Sequence, residues 1–386
     1  MVDESGKGER DFTAVTRLAR QCVLARKEYV PGKPVEEVRR ELGISDIIKM
    51  ASNENPLGAS PLALEAMIDE IRHSAHRYPE SLCHDLIAKL AGVHGLKPEC
   101  FFIDNGGDGV ITMIGLTFID PGDEVMMGQL TFPAYENITT KMGGECVRVP
   151  LTSDYRLDIA GFISALTPRT KMVFLCNPNN PTGTIITHEE FERLLAALPK
   201  TVLLVSDEAY YDFADDPAYP QSVPYLHNYP NLIIIRTFSK IMGLAGVRVG
   251  YAIAHPDIVK VMLKAREPFP VNRPAQAGAL AALDDVDFVR RTLQVNTDGR
   301  EQYYRAFETM GLTYYPTQTN FVFVDLGRPA EPVFQTMLRD GVIVRPVTSM
   351  GETNGMRITI GTPEQNERTI AALSKALATM SSATSI

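Results

Sequence analysis

The sequence of 386 residues has no tryptophan, only five scattered cysteines and no long apolar segment. No two cysteines form a Cys-x-x-Cys pair, so neither a disulfide framework nor a zinc site is indicated, and we expect reduced thiols in a cytoplasmic protein. No run approaches the roughly 18 consecutive apolar residues that a membrane span requires. The charged segment Met1–Arg10 has no apolar region behind it, so no secretory signal is visible.

Positive charge is scarce as well, because 38 lysines and arginines face 47 aspartates and glutamates, a formal net charge of −9. This balance lacks the basic surface that nucleic acid or anionic lipid requires, so neither is an expected partner. A positive pocket inside an acidic protein is still compatible with a small anionic ligand. His73 and His76 could share a helix face, but we interpret them as surface residues and assign no metal ligands.

Short β-branched runs alternate with amphipathic segments, which predicts an α/β fold with a mainly parallel sheet covered on both faces. The predicted strands of this sheet are Phe101–Ile103, Glu124–Met127, Cys146–Val149, Met172–Cys176, Val202–Val205, Leu232–Arg236 and Val249–Ala254. A stretch predicted to be helical throughout, Pro274–Met310, then leads into a second alternation of strands and helices. We therefore divide the chain into an N-terminal arm and small-domain segment (1–50), a large domain (51–270) and a small C-terminal domain (271–386).

A lysine follows one of the predicted strands almost directly, at the end of the run Thr237-Phe-Ser-Lys240. Glycines that allow close backbone approach come after it, at Gly243 and Gly246. A buried lysine has a lowered pKa, and its neutral amine is a nucleophile toward carbonyl groups. In isolation such a lysine is more often a surface charge. The residues near other strand ends therefore have to indicate whether it belongs to a binding site.

The residues near the other strand ends are of the types that would bind a phosphate-bearing aldehyde. Asp207 follows the predicted strand Thr201–Val205, and the amide-rich run Asn177-Pro-Asn-Asn-Pro-Thr-Gly183 follows another. The turn Asn105-Gly-Gly-Asp108 precedes a predicted helix, whose free N–H groups and dipole favour an anion that Arg248 can also bind. Ligands of open α/β sheets lie beyond the carboxyl ends of the strands. An amine, a carboxylate and an anion site in that place fit pyridoxal phosphate.

Ordered runs along most of the chain resemble the fold-type-I pyridoxal-phosphate aminotransferases. The runs that carry this resemblance are Tyr29-Val-Pro-Gly-Lys-Pro34, Ser52-Asn-Glu-Asn-Pro-Leu-Gly58, Arg77-Tyr-Pro79, Asn177-Pro-Asn-Asn-Pro-Thr-Gly183, Asp207-Glu-Ala-Tyr210, Arg236-Thr-Phe-Ser-Lys240, Gly243-Leu-Ala-Gly-Val-Arg-Val-Gly-Tyr251, Gly341-Val-Ile-Val-Arg345 and Arg357-Ile-Thr-Ile-Gly-Thr362. The resemblance implies a three-layer large domain that binds pyridoxal 5′-phosphate and a smaller α+β domain. Within the family the pattern is most similar to the histidinol-phosphate branch.

The resemblance also implies a role for individual residues. Lys240 would bind the cofactor aldehyde, and Asp207 would keep the ring nitrogen protonated. Asn180 and Tyr210 would contact the ring hydroxyl, and Phe132 would stack on the ring. The expected phosphate ligands are the backbone N–H groups of Gly107 and Asp108, the side chains of Thr237, Ser239 and Arg248, and Tyr78 from the neighbouring subunit of a homodimer.

The substrate groups follow from the same resemblance. Arg357 is expected to bind the carboxylate of glutamate, and Arg345 the phosphate of histidinol phosphate, while Tyr29 would close over the substrate beside Asn180. The predicted reaction is a ping-pong amino transfer between histidinol phosphate (with its keto form, imidazole acetol phosphate) and glutamate or 2-oxoglutarate, as in histidine biosynthesis.

Several alternatives stay open at this point. An aromatic (phenylalanine) aminotransferase shares much of the pattern, and a lyase, decarboxylase or cyclase could use the same fold. A ligand-sensing regulator would need a DNA-binding extension, and a P-loop ATPase would need a glycine-rich phosphate loop that the sequence lacks. Gly109, Leu130 and Pro270 depart from the family pattern, which leaves loop rigidity and substrate preference undecided.

Overall fold

The computed structural model describes residues 18–24 and 33–383, the last three as backbone only. The strands of these residues are β1 (Ile48–Lys49), β2 (Phe101–Asp104), β3 (Glu124–Gly128), β4 (Glu145–Val149), β5 (Thr170–Cys176), β6 (Leu203–Asp207), β7 (Leu232–Thr237), β8 (Gly250–Ala254), β9 (Thr313–Tyr315), β10 (Phe321–Asp325), β11 (Val342–Ile343), β12 (Arg345–Pro346) and β13 (Gly355–Thr359). The helices are α1 (Gln21–Leu24), α2 (Val35–Leu42), α3 (Pro61–Ser74), α4 (His84–His94), α5 (Gly106–Phe118), α6 (Ala134–Met142), α7 (Ile159–Ser164), α8 (His188–Ala197), α9 (Pro256–Ala265), α10 (Arg273–Ala282), α11 (Val286–Met310), α12 (Ala330–Arg339) and α13 (Pro363–Ala383).

The large sheet has seven strands in the order β2-β8-β7-β6-β5-β3-β4. Only β8 is antiparallel to its neighbours, which confirms the prediction of a mainly parallel sheet. Its strands are apolar on both faces: Val173 and Leu175 of β5 belong to one hydrophobic core, and Met172 and Phe174 to the other. Helices cover both faces, as buried parallel strands require, and the result is a three-layer α/β fold.

A third hydrophobic core surrounds the antiparallel sheet β12-β13-β10-β9. Tyr303 and Phe307 of α11, Met337 of α12 and Leu373 of α13 are buried in it. The parallel pair β1–β11 adds the segment before residue 50 to this part of the molecule. The smaller α+β unit is therefore built from both ends of the described chain.

The prediction of unbroken helix from Pro274 to Met310 was wrong, because α10 and α11 are separated by residues 283–285. Asp285 caps the second helix, since its Oδ1 accepts a hydrogen bond from the N–H of Phe288 at 3.2 Å. Its Oδ2 accepts a second bond, from the hydroxyl of Ser60 at 2.6 Å. The sequence pattern also predicts a helix at about Asp11–Leu24; the structure describes it over Gln21–Leu24, and residues 11–17 lie outside the described residues.

One edge of the large sheet collects the ends of several strands. Cys176 at the end of β5 is paired in register with Asp207 at the end of β6, and Asp207 with Ile235 of β7. The antiparallel strand β8 begins at the same edge, where Gly250 pairs with both Asp104 and Thr237. Polar residues that follow β2, β5, β6 and β7 therefore converge there. None of the described helices is long and apolar enough to cross a membrane.

Candidate active site

A cavity of about 1030 Å³ opens at this edge of the sheet. The predicted site residues that line it are Gly107, Asp108, Phe132, Asn180, Asp207, Tyr210, Thr237, Ser239, Lys240, Arg248, Arg345 and Arg357. Tyr78 does not contribute to this lining, and Tyr29 lies outside the described residues. The fold thus brings together groups that are up to 250 positions apart in the sequence.

The cavity is positive although the whole chain is acidic. Its described lining contains the cations Arg20, Lys141, Lys240, Arg248, Arg345 and Arg357 and the carboxylates Glu54, Asp108 and Asp207. Six cations against three carboxylates favour an anionic ligand, and partial burial strengthens that preference because water screens the charges less.

Asp207 is buried at the end of β6, with only 4% of its surface exposed. Its Oδ2 accepts a hydrogen bond from the hydroxyl of Tyr135 at 2.7 Å, and its Oδ1 accepts one from the N–H of Ala209 at 3.1 Å. Burial raises the pKa of Asp207 to about 6, and the two hydrogen bonds act in the opposite direction. The arrangement holds a carboxylate ready for a cationic partner in the cavity.

Lys240 enters the same cavity from the turn after β7. Burial, together with the positive charge of Arg357, lowers the pKa of Lys240 to about 8. Its Nζ lies 5.5 Å from the ring centroid of Tyr210. An amine with this pKa is partly neutral near physiological pH and can act as a nucleophile.

The N-terminus of α5 meets the start of β8 at very short range. Asn105 gives this helix no side-chain cap, so the N–H groups of its first turn are left for a ligand. The helix begins at Gly106, within the turn that was predicted to precede it, which places Gly107 and Asp108 in that first turn. A Cβ on Gly106, which has φ +74°, would lie 2.5 Å from Nη2 of Arg248.

Arg248 is itself in the left-handed region, with φ 63°. Its Nη1 donates to the carbonyl of Ala245 at 2.9 Å, and its Nη2 lies 3.3 Å from Oδ2 of Asp108. On the adjoining turn the hydroxyl of Thr237 donates to Ser239 Oγ at 3.0 Å. A guanidinium, two hydroxyls and uncapped helical N–H groups together form a site suited to a phosphate.

Hydrogen bonds between the large unit and the small unit join the remaining side chains. Asn53 Nδ2 donates to the hydroxyl of Tyr210 at 2.9 Å, and burial raises the pKa of Tyr210 above its usual value. Arg357 Nη1 donates to Oδ1 of Asn180 at 2.6 Å, and its Nη2 donates to the carbonyl of Ala51. These bonds fix groups of the small unit against groups of the large one.

Two arginines stand directly opposite each other in the small sheet, because Arg345 of β12 pairs in register with Arg357 of β13. Opposite residues of an antiparallel pair lie on one face, where like charges repel. Both arginines line the cavity. An anion between or beside them would relieve the repulsion.

Sequence reasoning did not find Tyr135, Asn53 or Cys176. Asn53 stands in the run Ser52–Gly58 that carries part of the family resemblance, which was a usable signal. In the sequence, Tyr135 has the pattern of an ordinary core-facing position of an amphipathic helix. Only its 2.7 Å hydrogen bond to Asp207 in the folded protein connects it with the site. Cys176 is buried beside Asp207, and burial raises the pKa of its thiol to about 12.

Tyr78 lies on the outer surface, with 79% of its area exposed and its ring stacked on Phe269 at 4.8 Å between centroids. The nearby helix α3 also exposes large apolar side chains. These are Leu62, Leu64, Ile68 and Ile71. Leu64, Ile68 and Ile71 recur at the spacing of one helix face, and an exposed apolar helix face is typical of a surface that another chain covers.

Comparison with known proteins gives consistent matches over nearly the whole chain. A model of the family "Aminotransferase class I and II" matches residues 45–373. A histidinol-phosphate aminotransferase of Moorella thermoacetica is 46% identical over 373 residues, with 96% of each chain covered. One from Symbiobacterium thermophilum is 43% identical, covering 93% of this chain and 98% of the relative.

Solved structures agree with these matches. The histidinol-phosphate aminotransferase of Sinorhizobium meliloti, in complex with pyridoxal-5′-phosphate, superposes with a TM-score of 0.85 at 29% identity. The match covers 93% of this chain and 97% of that one. An aspartate aminotransferase of Thermus thermophilus with maleate, 22% identical, has a TM-score of 0.81 over 93% of this chain and 99% of that one, which extends the similarity of fold.

Proposed function

Because the chain belongs to the aminotransferase class I and II family, we propose that it is a pyridoxal-phosphate-dependent aminotransferase acting on histidinol phosphate and glutamate. The reaction would serve histidine biosynthesis, with imidazole acetol phosphate and 2-oxoglutarate as the keto partners. The observation that carries the proposal is the presence of Lys240, Asp207 and Arg248 in one positive cavity. All five cysteines are free, which supports a reducing, cytoplasmic location.

The donor set of the cavity fits pyridoxal phosphate. Asp207 supplies the carboxylate for the ring nitrogen, and Lys240 the amine for the aldehyde. The first turn of α5, together with Arg248, offers uncapped N–H groups and a guanidinium to the phosphate. Asn180 and Tyr210 line the same cavity and suit the ring hydroxyl.

The bound cofactor supplies an electron-withdrawing ring that stabilises negative charge at the substrate Cα. Asp207 would pair with the ring nitrogen, favour its protonated form and so keep the ring electron-poor. Lys240 Nζ would hold the cofactor aldehyde and, as a free amine, would take up and return the proton of the substrate Cα. Its lowered pKa suits an amine that must both accept and release a proton near neutral pH.

Arg345 and Arg357 give the cavity two places for substrate anions. We assign Arg357, already held by Asn180 and Ala51, to the carboxylate of glutamate, because a fixed guanidinium fork matches a carboxylate. Arg345 is assigned to the phosphate of histidinol phosphate, which has no α-carboxylate. The same positive wall can therefore serve two substrates that differ in their anionic group.

We also propose a homodimer in which Tyr78 reaches the cofactor phosphate of the partner subunit. The exposed ring of Tyr78 and the apolar side chains on α3 support this arrangement, since a partner would cover them. Tyr29 is proposed to close over the substrate.

The test is a comparison of native protein with Lys240→Ala in single half-reactions. Native protein carrying the cofactor should lose its visible absorption rapidly on mixing with histidinol phosphate or glutamate, and slowly or not at all with phenylalanine or tyrosine. Lys240→Ala should show neither the absorption of the covalently held cofactor nor turnover. Rapid reaction with phenylalanine and none with histidinol phosphate would instead identify an aromatic aminotransferase. An active Lys240→Ala protein would refute the assignment of the lysine.

A further inference from the structure

A tyrosine outside the predicted set touches the carboxylate at the centre of the site. The hydroxyl of Tyr135 donates to Oδ2 of Asp207 at 2.7 Å, and its side chain is completely buried. Its ring lies flat against Phe174 of β5, with 4.6 Å between the centroids and 9° between the planes. Stacking of this kind leaves the phenol little freedom, so the direction of its O–H is fixed by the core.

Asp207 is held from two sides. Oδ2 accepts from Tyr135 on α6, and Oδ1 accepts from the N–H of Ala209 on its own turn. Each carboxylate oxygen can accept about two hydrogen bonds, so the group keeps acceptor capacity for the cavity that it lines. The plane of the carboxylate is therefore set before any ligand arrives.

The other groups around Asp207 do not stabilise its charge. The thiol of Cys176 on β5 is buried, and burial keeps its pKa at about 12, so it stays neutral. Asp108 and Glu208 are acidic and raise the pKa of Asp207 rather than lower it. Tyr135 is thus the side-chain donor that the structure gives to this carboxylate among the described residues.

We propose that Tyr135 is a positioning residue, which holds Asp207 ionised and oriented toward the ring nitrogen of pyridoxal phosphate. The inference rests on the proposed function and adds a residue to it. A phenol that donates to a buried carboxylate stabilises the ionised form, which is the form that can pair with a protonated ring nitrogen. Without this donor the buried group would more readily take up a proton and lose that pairing.

A purely structural role is the competing explanation, because Tyr135 also packs edge-on against Phe132 at 5.7 Å between centroids. The two roles differ in the part of the cofactor that they affect. Loss of packing would weaken the binding of any ligand of the same shape. Loss of the hydrogen bond to Asp207 would matter only for a ligand that has the ring nitrogen.

The experiment measures the binding of two ligands to cofactor-free protein, pyridoxal phosphate and 1-deazapyridoxal phosphate, which has a C–H in place of the ring nitrogen. The variants are Tyr135→Phe and the matched control Tyr251→Phe. Tyr251 is a buried tyrosine of β8 in the core on the other face of the sheet, with its hydroxyl 3.2 Å from Nε2 of His94.

We expect Tyr135→Phe to bind pyridoxal phosphate about tenfold more weakly than native protein, the usual effect of losing a hydrogen bond to a charged group. It should bind the carbon analogue as tightly as native protein, which also shows that the variant is folded. Tyr251→Phe should bind both ligands as native protein does. An equal loss for both ligands, or no loss for either, would overturn the positioning role. Native protein that binds neither ligand would instead overturn the proposed function.

Discussion

At the scale of single residues, Lys240 combines burial with a positive neighbour. Burial lowers the pKa of Lys240 from 10.5 to about 8, and the charge of Arg357 acts in the same direction. The neutral amine is the form that attacks an aldehyde. Below pH 8 its fraction falls about tenfold per pH unit, and above pH 8 it approaches a constant value.

We therefore predict that cofactor-free protein captures pyridoxal phosphate faster as the pH rises toward 8 and then at a constant rate. Stopped-flow measurement of the second-order rate constant from pH 6 to 10 tests this. Arg357→Leu removes the positive neighbour, so its profile should level off at a higher pH than that of native protein. A native profile that still rises steadily up to pH 10 would contradict the lowered pKa.

Residues of the site differ in how far the sequence could reveal them. Lys240, Asp207 and Arg248 follow or precede strands in recognisable runs, and each lines the cavity as expected. Tyr135 could not be found this way, because its importance depends on which side chain lies opposite it after folding. Burial and a hydrogen-bond partner are properties of the packed core, and a helical pattern gives only the face of the helix.

At the scale of elements, the junction of α5 with β8 depends on glycine. A Cβ on Gly250 would lie 2.8 Å from the carbonyl carbon of Gly106 and 2.8 Å from the backbone nitrogen of Gly107. Both contacts are with backbone, which cannot move aside as the end of a side chain can. The first turn of α5 holds the proposed phosphate site, so its position depends on this close contact.

We predict that Gly250→Ala lowers stability by about 1–3 kcal/mol, the usual cost of an overpacked contact. It should also weaken the binding of pyridoxal phosphate, because α5 must shift away from β8. Gly92→Ala in α4 is the matched control, since nothing lies within 4 Å of a Cβ there. That variant should be unchanged or slightly more stable, because alanine favours a helix.

Urea unfolding of the cofactor-free variants and equilibrium binding of the cofactor measure the two effects. If Gly250→Ala binds the cofactor like native protein, the close approach is not what places the phosphate site.

The sequence located the long elements well and the short ones poorly. Buried strands such as β5 and β7 are continuous β-branched or apolar runs, and the predicted bounds agree within two residues. Strands β1, β9 and β12 have two or three residues each and were not predicted. So short a strand has no period of its own and forms only because a distant strand offers a partner. At the break between α10 and α11, Asp285 likewise has a distant partner, since it accepts a hydrogen bond from Ser60, 225 positions earlier in the chain.

At the scale of the whole molecule, the site lies where the seven-stranded sheet and the small antiparallel sheet meet. Asn53 connects them: its N–H donates to Thr359 Oγ1 at 2.9 Å, and its side chain donates to Tyr210. Asn320 Nδ2 donates to the carbonyl of Asn53 at 2.9 Å. Bonds of this kind couple the sheet that carries Arg357 to the sheet that carries Asp207.

The proposed dimer extends this dependence to a second chain, and hybrid dimers test it. The first hybrid pairs one Lys240→Ala subunit with one Tyr78→Phe subunit. If Tyr78 contributes to the site of its partner, one of the two sites contains both Lys240 and Tyr78, and the other contains neither. We predict native cofactor affinity at the site that contains both residues and about half the native activity per dimer. If Tyr78 contributed to the site of its own subunit, neither site would contain both residues. The site that keeps Lys240 would then bind pyridoxal phosphate about tenfold more weakly than native protein, the usual effect of losing a hydrogen bond to a phosphate.

The matched control places both substitutions in one subunit and pairs it with an unchanged one. The single site that retains Lys240 would then face the altered Tyr78 of its partner, so its cofactor affinity should fall. If Tyr78 acted within its own subunit, this site would keep native cofactor affinity, and the first hybrid would be the one with weakened affinity. Because both hybrids contain the same two substitutions, differences in folding or expression cannot determine which hybrid has the weakened affinity. Hybrids purified with two different affinity tags and titrated with pyridoxal phosphate therefore determine which chain completes each site.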